Sequence, residues 1–276
     1  FRRAMAVLGE CGLDVCHPCR LTRADDLPRQ IESALAQGIR LIIIGGGDGT
    51  LNAAVNLLAG HDVVLGVLPL GTANDFARAV GIPLTLEAAC RTVVQGRVAR
   101  VDLGRVNDRY FLSTVSIGFT AHAARRVLPW AKRYLGRGGY LLASARAFLG
   151  YRGFHARVHL DGRPLAYDAL ELVIGNGRFH SGGHLLAPDA SLHSGRLVCY
   201  AFEGLSRWQL LKMALIVYRG RHIYHRQAHF ATAGEIQIEA EPSQPVLVDG
   251  DRRGRTPVRA TVIPGGLAVV APATGE

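Results

Sequence analysis

The sequence contains no hydrophobic run long enough to cross a membrane. A spanning helix needs roughly 18–20 consecutive apolar residues, and the apolar stretch at 210–218 is shorter and is interrupted by Lys212. The first residues also lack the apolar core of a signal peptide. We therefore expect a cytoplasmic protein that reaches the membrane only peripherally, at its inner face.

Cysteine is scarce, with five residues at Cys11, Cys16, Cys19, Cys90 and Cys199. An odd and scattered set in a chain of this length argues against a disulfide framework. The Cys16–Cys19 pair has the C-x-x-C spacing of redox and zinc sites. It has neither a thioredoxin-like context nor a second pair to complete a zinc site. We expect neither function there.

Acidic residues are outnumbered, 22 Asp and Glu against 32 Lys and Arg, which gives a net charge of +10. Such an excess attracts polyanions. Residues 125–135 interleave cations with Trp130 and Tyr134, a mixture typical of peripheral contact with an anionic membrane. No nucleic-acid-binding motif accompanies it. We expect an anionic membrane as partner and no nucleic acid; the alternative is a solvated basic surface, and a homodimer stays open.

What the sequence does have is a glycine-rich loop after an all-aliphatic strand, in the run LIIIGGGDGTLN at 41–52. Glycines let backbone N–H groups approach a phosphate, and the N-terminus of the following helix favours negative charge. Asp48 lies where phosphates would lie, which is favourable when a cation such as Mg²⁺ screens it. The alternative is an ordinary strand-to-helix turn.

A second run, VVLGVLPLGTANDFAR at 63–78, repeats the order of strand, Gly-Thr turn and polar helix start. Thr72, Asn74 and Asp75 bring a hydroxyl, an amide and a carboxylate to one helix entry, and Arg78 follows at a spacing that can pair with Asp75. A plain helix cap is the alternative. Because ligands collect at the carboxyl ends of parallel strands, the two loops together indicate a site.

The texture of the chain predicts two parts. Helices and strands alternate over 1–99, which indicates a doubly wound parallel α/β sheet, with helices at 2–9, 28–37, 51–58 and 73–80 and strands at 13–16, 41–44 and 63–68. Short strands dominate 100–264 and predict a β-sandwich with helical insertions at 121–148 and 206–217. A strand near 267–270, within 265–276, is expected to complete the first domain.

These motifs resemble the diacylglycerol kinase catalytic family, in particular its soluble bacterial lipid kinase branch. The resemblance continues through VDLG at 101–104, SIGF at 116–119, GNGRF at 175–179, LAPDA at 186–190 and VDGD at 248–251. The form LPLGTANDFA separates the chain from the NAD kinases and phosphofructokinases, which share the first loop. Relatives begin with a strand that is missing here, so we interpret the chain as lacking its first strand.

The resemblance implies an ATP- and Mg²⁺-dependent kinase that phosphorylates a hydroxyl of diacylglycerol or a related lipid. Asp48 and Asp75 would organise Mg²⁺, and Asp251 would act as general base. The residues implied to bind ATP are Thr22, Gly46, Gly47, Asp48, Gly49, Thr50, Leu51, Asn52, Gly71, Thr72, Asn74 and Arg78.

Two departures from the family pattern leave an alternative open. Asp251 replaces the usual Glu and is one methylene shorter, and a shift of about 1 Å in a catalytic group can cost on the order of a hundredfold in rate. Relatives bind a structural Mg²⁺ with an Asp-Gly pair where this chain has Ser194; backbone carbonyls of Ser191 and Arg196 would remain as ligands. The alternative function is therefore a catalytically weak or inactive binding protein.

Overall fold

The computed structural model describes residues 1–21, 23, 25–126, 151–177, 179–180, 184–185, 190–203 and 228–273. The chain divides into two compact units. Unit 1 comprises Phe1–Ser113, Asn176–Gly195 and Ile263–Glu276, and unit 2 comprises Thr114–Gly175 and Arg196–Val262. No helix among the described residues is long and apolar enough to cross a membrane.

The secondary structure is α/β in unit 1 and mainly β in unit 2. The helices are α1 (Arg2–Glu10), α2 (Asp26–Ala36), α3 (Asp48–Leu58), α4 (Asp75–Val80), α5 (Leu86–Gln95) and α6 (Phe119–Arg126). The strands are β1 (Leu41–Gly46), β2 (Val64–Pro69), β3 (Arg97–Val106), β4 (Arg109–Phe111), β5 (Thr114–Gly118), β6 (Phe154–Leu160), β7 (Arg163–Gly175), β8 (Phe179–His180), β9 (His184–Leu185), β10 (Leu197–Glu203), β11 (Ala228–Ala233), β12 (Glu235–Glu241), β13 (Pro245–Val248), β14 (Asp251–Arg255) and β15 (Val258–Ala271).

Unit 1 is built on a parallel sheet whose strands end in the two glycine loops. β1 pairs with β2 in parallel from Leu41↔Val64 to Gly46↔Pro69. The C-terminal part of β15 lies on the other side of β2, also parallel, with Val269 opposite Leu65. Leu51, Val55 and Leu58 on α3 and Leu65 on β2 are at most 1% exposed, so the aliphatic residues of both runs form the core. This core fixes both loops at the carboxyl ends of the parallel strands.

Unit 2 is an antiparallel assembly in the order β12–β6–β7–β5–β13–β14, with β10 and β11 joined through β7. Phe154, Ala156, Val158 and Leu160 on β6 are buried, and the residues between them are more exposed. This period of two is that of a strand with one buried face. α6 begins directly after β5.

The expected strand at 13–16 is wrong. The N–H of Leu13 donates to the carbonyl of Leu8 at 3.0 Å, and the N–H of Gly12 donates to Gly9 at 2.9 Å. Gly12 has φ +84°, so these bonds close the end of α1 as a left-handed helix cap. The donor of Leu13 is used there rather than in a sheet.

Three further differences concern element boundaries. Helix α3 begins at Asp48 rather than at 51, because the loop residues themselves form its first turn. Helix α5 is absent from the prediction, and the strand expected near 267–270 is the end of a longer strand, β15. Of the helical insertion expected at 121–148, the structure describes residues up to Arg126, and that part is helical. The insertion at 206–217 lies outside the described residues.

Candidate active site

The two glycine loops of unit 1 meet backbone to backbone. A Cβ atom added to Gly71 would lie 2.5 Å from the Cα of Gly47, and one added to Gly47 would lie 3.0 Å from the Cα of Gly71. The N–H of Leu70 donates to the carbonyl of Gly46 at 2.9 Å. Neither Gly47 nor Gly71 can carry a side chain without separating the loops, which explains both glycines as packing requirements.

The first loop becomes the first turn of α3. Gly47 is the N-cap, and its carbonyl accepts hydrogen bonds from the N–H groups of Thr50 and Leu51, each at 3.0 Å. A Cβ added to Gly46 would lie 2.7 Å from the Cβ of Thr50, whereas one added to Gly49 would meet nothing within 4 Å. The loop is therefore tightly packed at Gly46 and open at Gly49, at a helix end where backbone N–H donors lack intrahelical partners.

Asp48 links the first loop to the start of α4. Its Oδ1 accepts a hydrogen bond from the N–H of Phe76 at 3.3 Å. Burial raises the pKa of the Asp48 carboxyl and the nearby negative charge of Asp75 raises it further, while hydrogen bonds from the Phe76, Asn74 and Asp75 backbones lower it. Asp75 is itself 7% exposed. Two carboxylates thus share a partly desolvated position, an arrangement that a divalent cation stabilises.

The second loop is held by Asn74. Its φ of 52° is left-handed, a conformation that Asn tolerates better than most residues. Its Oδ1 accepts the N–H of Gly71 at 2.9 Å, and its Nδ2 donates to the Gly71 carbonyl at 2.9 Å. Thr72 is exposed, and the Arg78 Nε donates to the Ala73 carbonyl at 3.1 Å. The pairing of Arg78 with Asp75 stays a prediction.

Asn52 has a packing role beside its predicted nucleotide role. Its Nδ2 donates to the Tyr110 carbonyl at 3.2 Å. Asn56, one helical turn later, donates to the same carbonyl at 2.9 Å and accepts the Tyr110 N–H at 3.0 Å. These bonds fix α3 against β4 and so keep the first loop in position.

Asp251 lies in unit 2, at the start of β14. Asp249 and Gly250 form the preceding turn with φ values of 47° and 86°, the left-handed pair of a two-residue hairpin. The Oδ1 of Asp249 accepts the N–H of Thr114 at 2.8 Å, which anchors the turn to β5. Asp251 is exposed, and its Oδ2 lies 3.3 Å from Nη2 of Arg253.

Asp102 is a buried carboxylate within the VDLG motif at 101–104, and the sequence predicted no role for it. Its Oδ2 accepts the N–H of Gly195 at 2.7 Å, and its Oδ1 accepts the N–H of Gly265 at 2.9 Å. Its own N–H donates to Leu192 at 2.7 Å. One side chain on β3 therefore ties together two segments of unit 1 that are distant in sequence, including β15.

Glu171 on β7 was not predicted. It is 8% exposed, and its Oε2 accepts the N–H of Thr120 at 2.8 Å, at the start of α6. Burial raises the pKa of the Glu171 carboxyl to about 8, although hydrogen bonds from Thr120 and Phe119 oppose this. Its position in the aliphatic run ALELVIG gives no sequence signal beyond a charge among apolar residues.

The residues predicted to hold a structural Mg²⁺ take part in hydrogen bonds within the protein, and their role as ligands stays a prediction. The carbonyl of Ser191 accepts hydrogen bonds from the Ser194 N–H at 3.2 Å and the Ser194 Oγ at 2.9 Å. The guanidinium of Arg196 bonds to Asp161 at 3.0 Å, whereas the predicted ligand is the backbone carbonyl of Arg196. The three positions supply no carboxylate, the ligand such a hard cation prefers.

Several predicted residues lie outside the described part of the chain. Thr22 is one, and so is most of the basic-aromatic stretch at 125–135. Cys16 and Cys19 are described as exposed free thiols. Among the described residues no group of three or more His, Cys, Asp or Glu side chains could hold a metal ion.

Comparison with known proteins identifies both parts of the chain. Residues 6–106 match the diacylglycerol kinase catalytic domain, and residues 113–271 match the YegS C-terminal NAD kinase beta sandwich-like domain. The predicted fold class, an α/β domain followed by a β-sandwich, is thereby confirmed.

Individual relatives support the same family assignment. A Pseudomonas aeruginosa protein named "Probable lipid kinase YegS-like" is 34% identical over an alignment of 278 positions, which covers 99% of this chain and 89% of the relative. A Mycobacterium tuberculosis diacylglycerol kinase is 31% identical over 261 residues, 91% of this chain and 83% of the relative. A crystal structure of a diacylglycerol kinase from Bacillus anthracis has a TM-score of 0.78 at 24% identity and covers 98% of this chain and 91% of its own, a likeness of fold.

The resemblance carried by the two glycine loops is therefore confirmed. The chain is a kinase and belongs to the diacylglycerol kinase catalytic family of lipid kinases.

Proposed function

We propose that this kinase transfers the γ-phosphoryl group of ATP, with Mg²⁺, to a hydroxyl of diacylglycerol or a related lipid. The observation that carries the proposal is the contact between the two loops, in which Gly47 and Gly71 touch and two carboxylates start the following helices. Phosphoryl transfer needs mainly positioning and charge neutralisation, and this arrangement supplies groups for both.

The open space at Gly49 suits the phosphates of the nucleotide. A Cβ there would meet nothing within 4 Å, and the N-terminus of α3 presents backbone N–H donors and a positive dipole end. Thr50 and Asn52 lie in the same first turns. We expect Gly46–Asn52 and Gly71–Thr72 to bind the phosphates, with Asn74 and Arg78 fixing the second loop.

The donor set at the helix starts fits a hard divalent cation. Mg²⁺ is typically bound by one or two carboxylates together with substrate phosphates. Asp48 and Asp75 are such a pair: burial raises the pKa of Asp48, and the negative charge of Asp75 raises it further. These two side chains would hold Mg²⁺, which supplies charge neutralisation for the transferred phosphoryl group.

The acceptor hydroxyl must lose its proton as it attacks. Asp251 offers an exposed carboxylate on a strand whose turn is anchored by Asp249. Its pairing with Arg253 at 3.3 Å is exposed, and exposed pairs are weak, typically below about 1 kcal/mol. The carboxylate therefore stays available to accept a proton from a lipid hydroxyl.

The test is phosphorylation of a lipid panel with radiolabelled ATP in detergent micelles, using diacylglycerol, monoacylglycerol and ceramide. Asp251→Asn should abolish labelling while ATP affinity and the unfolding midpoint stay unchanged, since only the proton acceptor is lost. Asp251→Glu should keep or raise the rate, because it restores the longer reach.

A matched control is Asp62→Asn. Asp62 is also an exposed carboxylate 3.3 Å from an arginine, Arg40, but it has no predicted role in catalysis. Full activity in Asp251→Asn would refute the base assignment and keep the kinase. If the parent protein labels no lipid, the chain is the inactive relative instead.

A further inference from the structure

The edge strand β14 in unit 2 is unusually basic and exposed. All five of its residues, Asp251-Arg252-Arg253-Gly254-Arg255, are exposed, whereas all four residues of its partner β13 are buried. β14 ends the sheet order and, among the described strands, pairs with β13 alone. Among the described strands, β14 therefore presents its arginine side chains together with the backbone donors of an unpaired sheet edge.

The pairing register places two of the arginines on one face. Arg252 is opposite Leu247 and Arg255 is opposite Pro245, with a bulge between the two pairs. Gly254 has φ +79° at this bulge. Because opposed residues of a ladder project to the same face, and Pro245 and Leu247 are two apart, Arg252 and Arg255 share that face.

The charges of these two arginines have no carboxylate partner within the part of the chain that the structure describes. Among the described residues neither Arg252 nor Arg255 takes part in an ion pair, while Arg253 pairs with Asp251. The Nε of Arg255 donates to the Oγ of Ser243 at 3.4 Å, and its Nη2 donates to the Ser243 carbonyl. Neutral oxygens thus orient one guanidinium without removing its charge.

The ribbon that carries these arginines is fixed at both ends. The turn at Asp249 is bonded to Thr114 through its side chain and its backbone, each at 2.8 Å. At the other end the Thr256 N–H donates to the Gln244 carbonyl at 2.9 Å, and the Gln244 N–H donates to Thr256 Oγ1 at 2.9 Å. Rigid presentation lowers the entropy lost when a surface binds.

We propose that Arg252 and Arg255 on the β14 edge form a docking surface for an anionic lipid bilayer. The guanidinium group matches phosphate oxygens bidentately, and the occupant is chosen by charge complementarity. The proposal rests on the proposed function, since Asp251, the predicted base for a lipid hydroxyl, opens the same strand. These arginines are distant in sequence from the predicted basic stretch at 125–135.

The direct test is co-sedimentation with phosphatidylglycerol vesicles. An arginine near an anionic membrane contributes about a fivefold gain in partitioning, so Arg252→Gln/Arg255→Gln should bind about 25-fold more weakly. Arg252→Lys/Arg255→Lys keeps the charges but not the bidentate geometry, so it should bind more weakly than the parent and more tightly than the glutamine variant. In 1 M salt, where the Debye length is about 3 Å, the parent should lose its preference over phosphatidylcholine.

The matched control is Arg29→Gln/Arg97→Gln, which removes two exposed charges from α2 and β3 in unit 1. Under the proposal it loses clearly less affinity than the β14 variant. Equal losses would mean that net charge alone acts, and no loss in either would exclude electrostatic docking; both results overturn the proposal. Since Arg255→Gln also removes bonds to Ser243, Arg252→Gln alone, with about a fivefold loss, serves where the double variant unfolds.

Hydrogen exchange on the unmodified protein gives an independent reading. Phosphatidylglycerol vesicles should protect the amides of 251–255, and phosphatidylcholine vesicles should not; absent protection overturns the proposal. If the double variant instead loses affinity for a DNA duplex and keeps vesicle binding, the surface recognises nucleic acid and the proposal is wrong. Lipid phosphorylation by the parent in micelles is measured separately, so a failed kinase assay and failed docking are distinguishable.

Discussion

Gly71→Ala is the sharpest perturbation of the loop contact. Its new Cβ would lie 2.5 Å from the Cα of Gly47 and 2.8 Å from the Oδ1 of Asn74. Carbon atoms pack at about 3.5–4.0 Å, so the loops must separate by roughly 1 Å. The obstacle is backbone rather than a flexible side chain, and overpacking of this kind typically costs about 1–3 kcal/mol.

We expect Gly71→Ala to lower the free energy of unfolding by about 2 kcal/mol. The same displacement should reduce phosphorylation on the order of a hundredfold, because it moves groups that position the nucleotide. Urea unfolding without nucleotide measures the first effect. Calorimetric titration with ATP and radiolabel transfer measure the second.

Gly49→Ala is the control within the same loop. A Cβ there meets nothing within 4 Å, and alanine favours a helix over glycine by up to about 1 kcal/mol. Stability should therefore hold or rise, while ATP affinity falls if phosphate occupies that open space. An unchanged unfolding midpoint and unchanged ATP affinity in Gly71→Ala would refute the contact as a requirement of the site.

The remaining predictions concern two buried carboxyl groups. Asp102→Ala leaves the N–H groups of Gly195 and Gly265 without their acceptor, and bonds to a charged group contribute about 1.5–3 kcal/mol each. We expect about 3 kcal/mol lower stability in urea unfolding, with Asp102→Asn intermediate; a loss below about 1 kcal/mol would contradict the role given to Asp102. For Glu171 the folded pKa of about 8 lies above the ordinary 4.5, so the folded protein holds this proton more tightly than the unfolded chain does. The contribution of Glu171 to the free energy of unfolding is therefore complete below pH 4.5 and is lost as pH rises through 8. The thermal midpoint of the parent should fall from pH 5.5 to 8.5 relative to Glu171→Gln, and parallel pH profiles would contradict this.

Sequence reasoning located the loops because their chemistry is local. An aliphatic strand, glycines and a polar helix start are all readable at 41–52 and 63–78, and the structure has a strand and a helix in each place. The contact between Gly47 and Gly71 could not be predicted at atomic detail. It depends on the register of β1 and β2, which neither run contains alone.

Other features were missed for different reasons. Asp102 acts through backbone donors at Gly195 and Gly265, and no local pattern reports such distant partners. Helix α5 did carry a signal, because Ala89, Cys90 and Val93 are buried at helical spacing and Thr85 precedes them as N-cap. No strand forms at 13–16 because the backbone N–H of Leu13 caps α1 instead. A pattern of alternating hydrophobicity does not reveal such a cap.

The position of β15 has a consequence for how this protein is made. Val64 and Leu65 are translated early, but their partners Ala268 and Val269 come from the other end of the sequence. The sheet that holds the glycine loops therefore stays incomplete on the ribosome until nearly all of this chain has emerged. Pairings between such distant segments are slow to form, so a nascent chain arrested after residue 113 should expose the edge of β2 to chaperones.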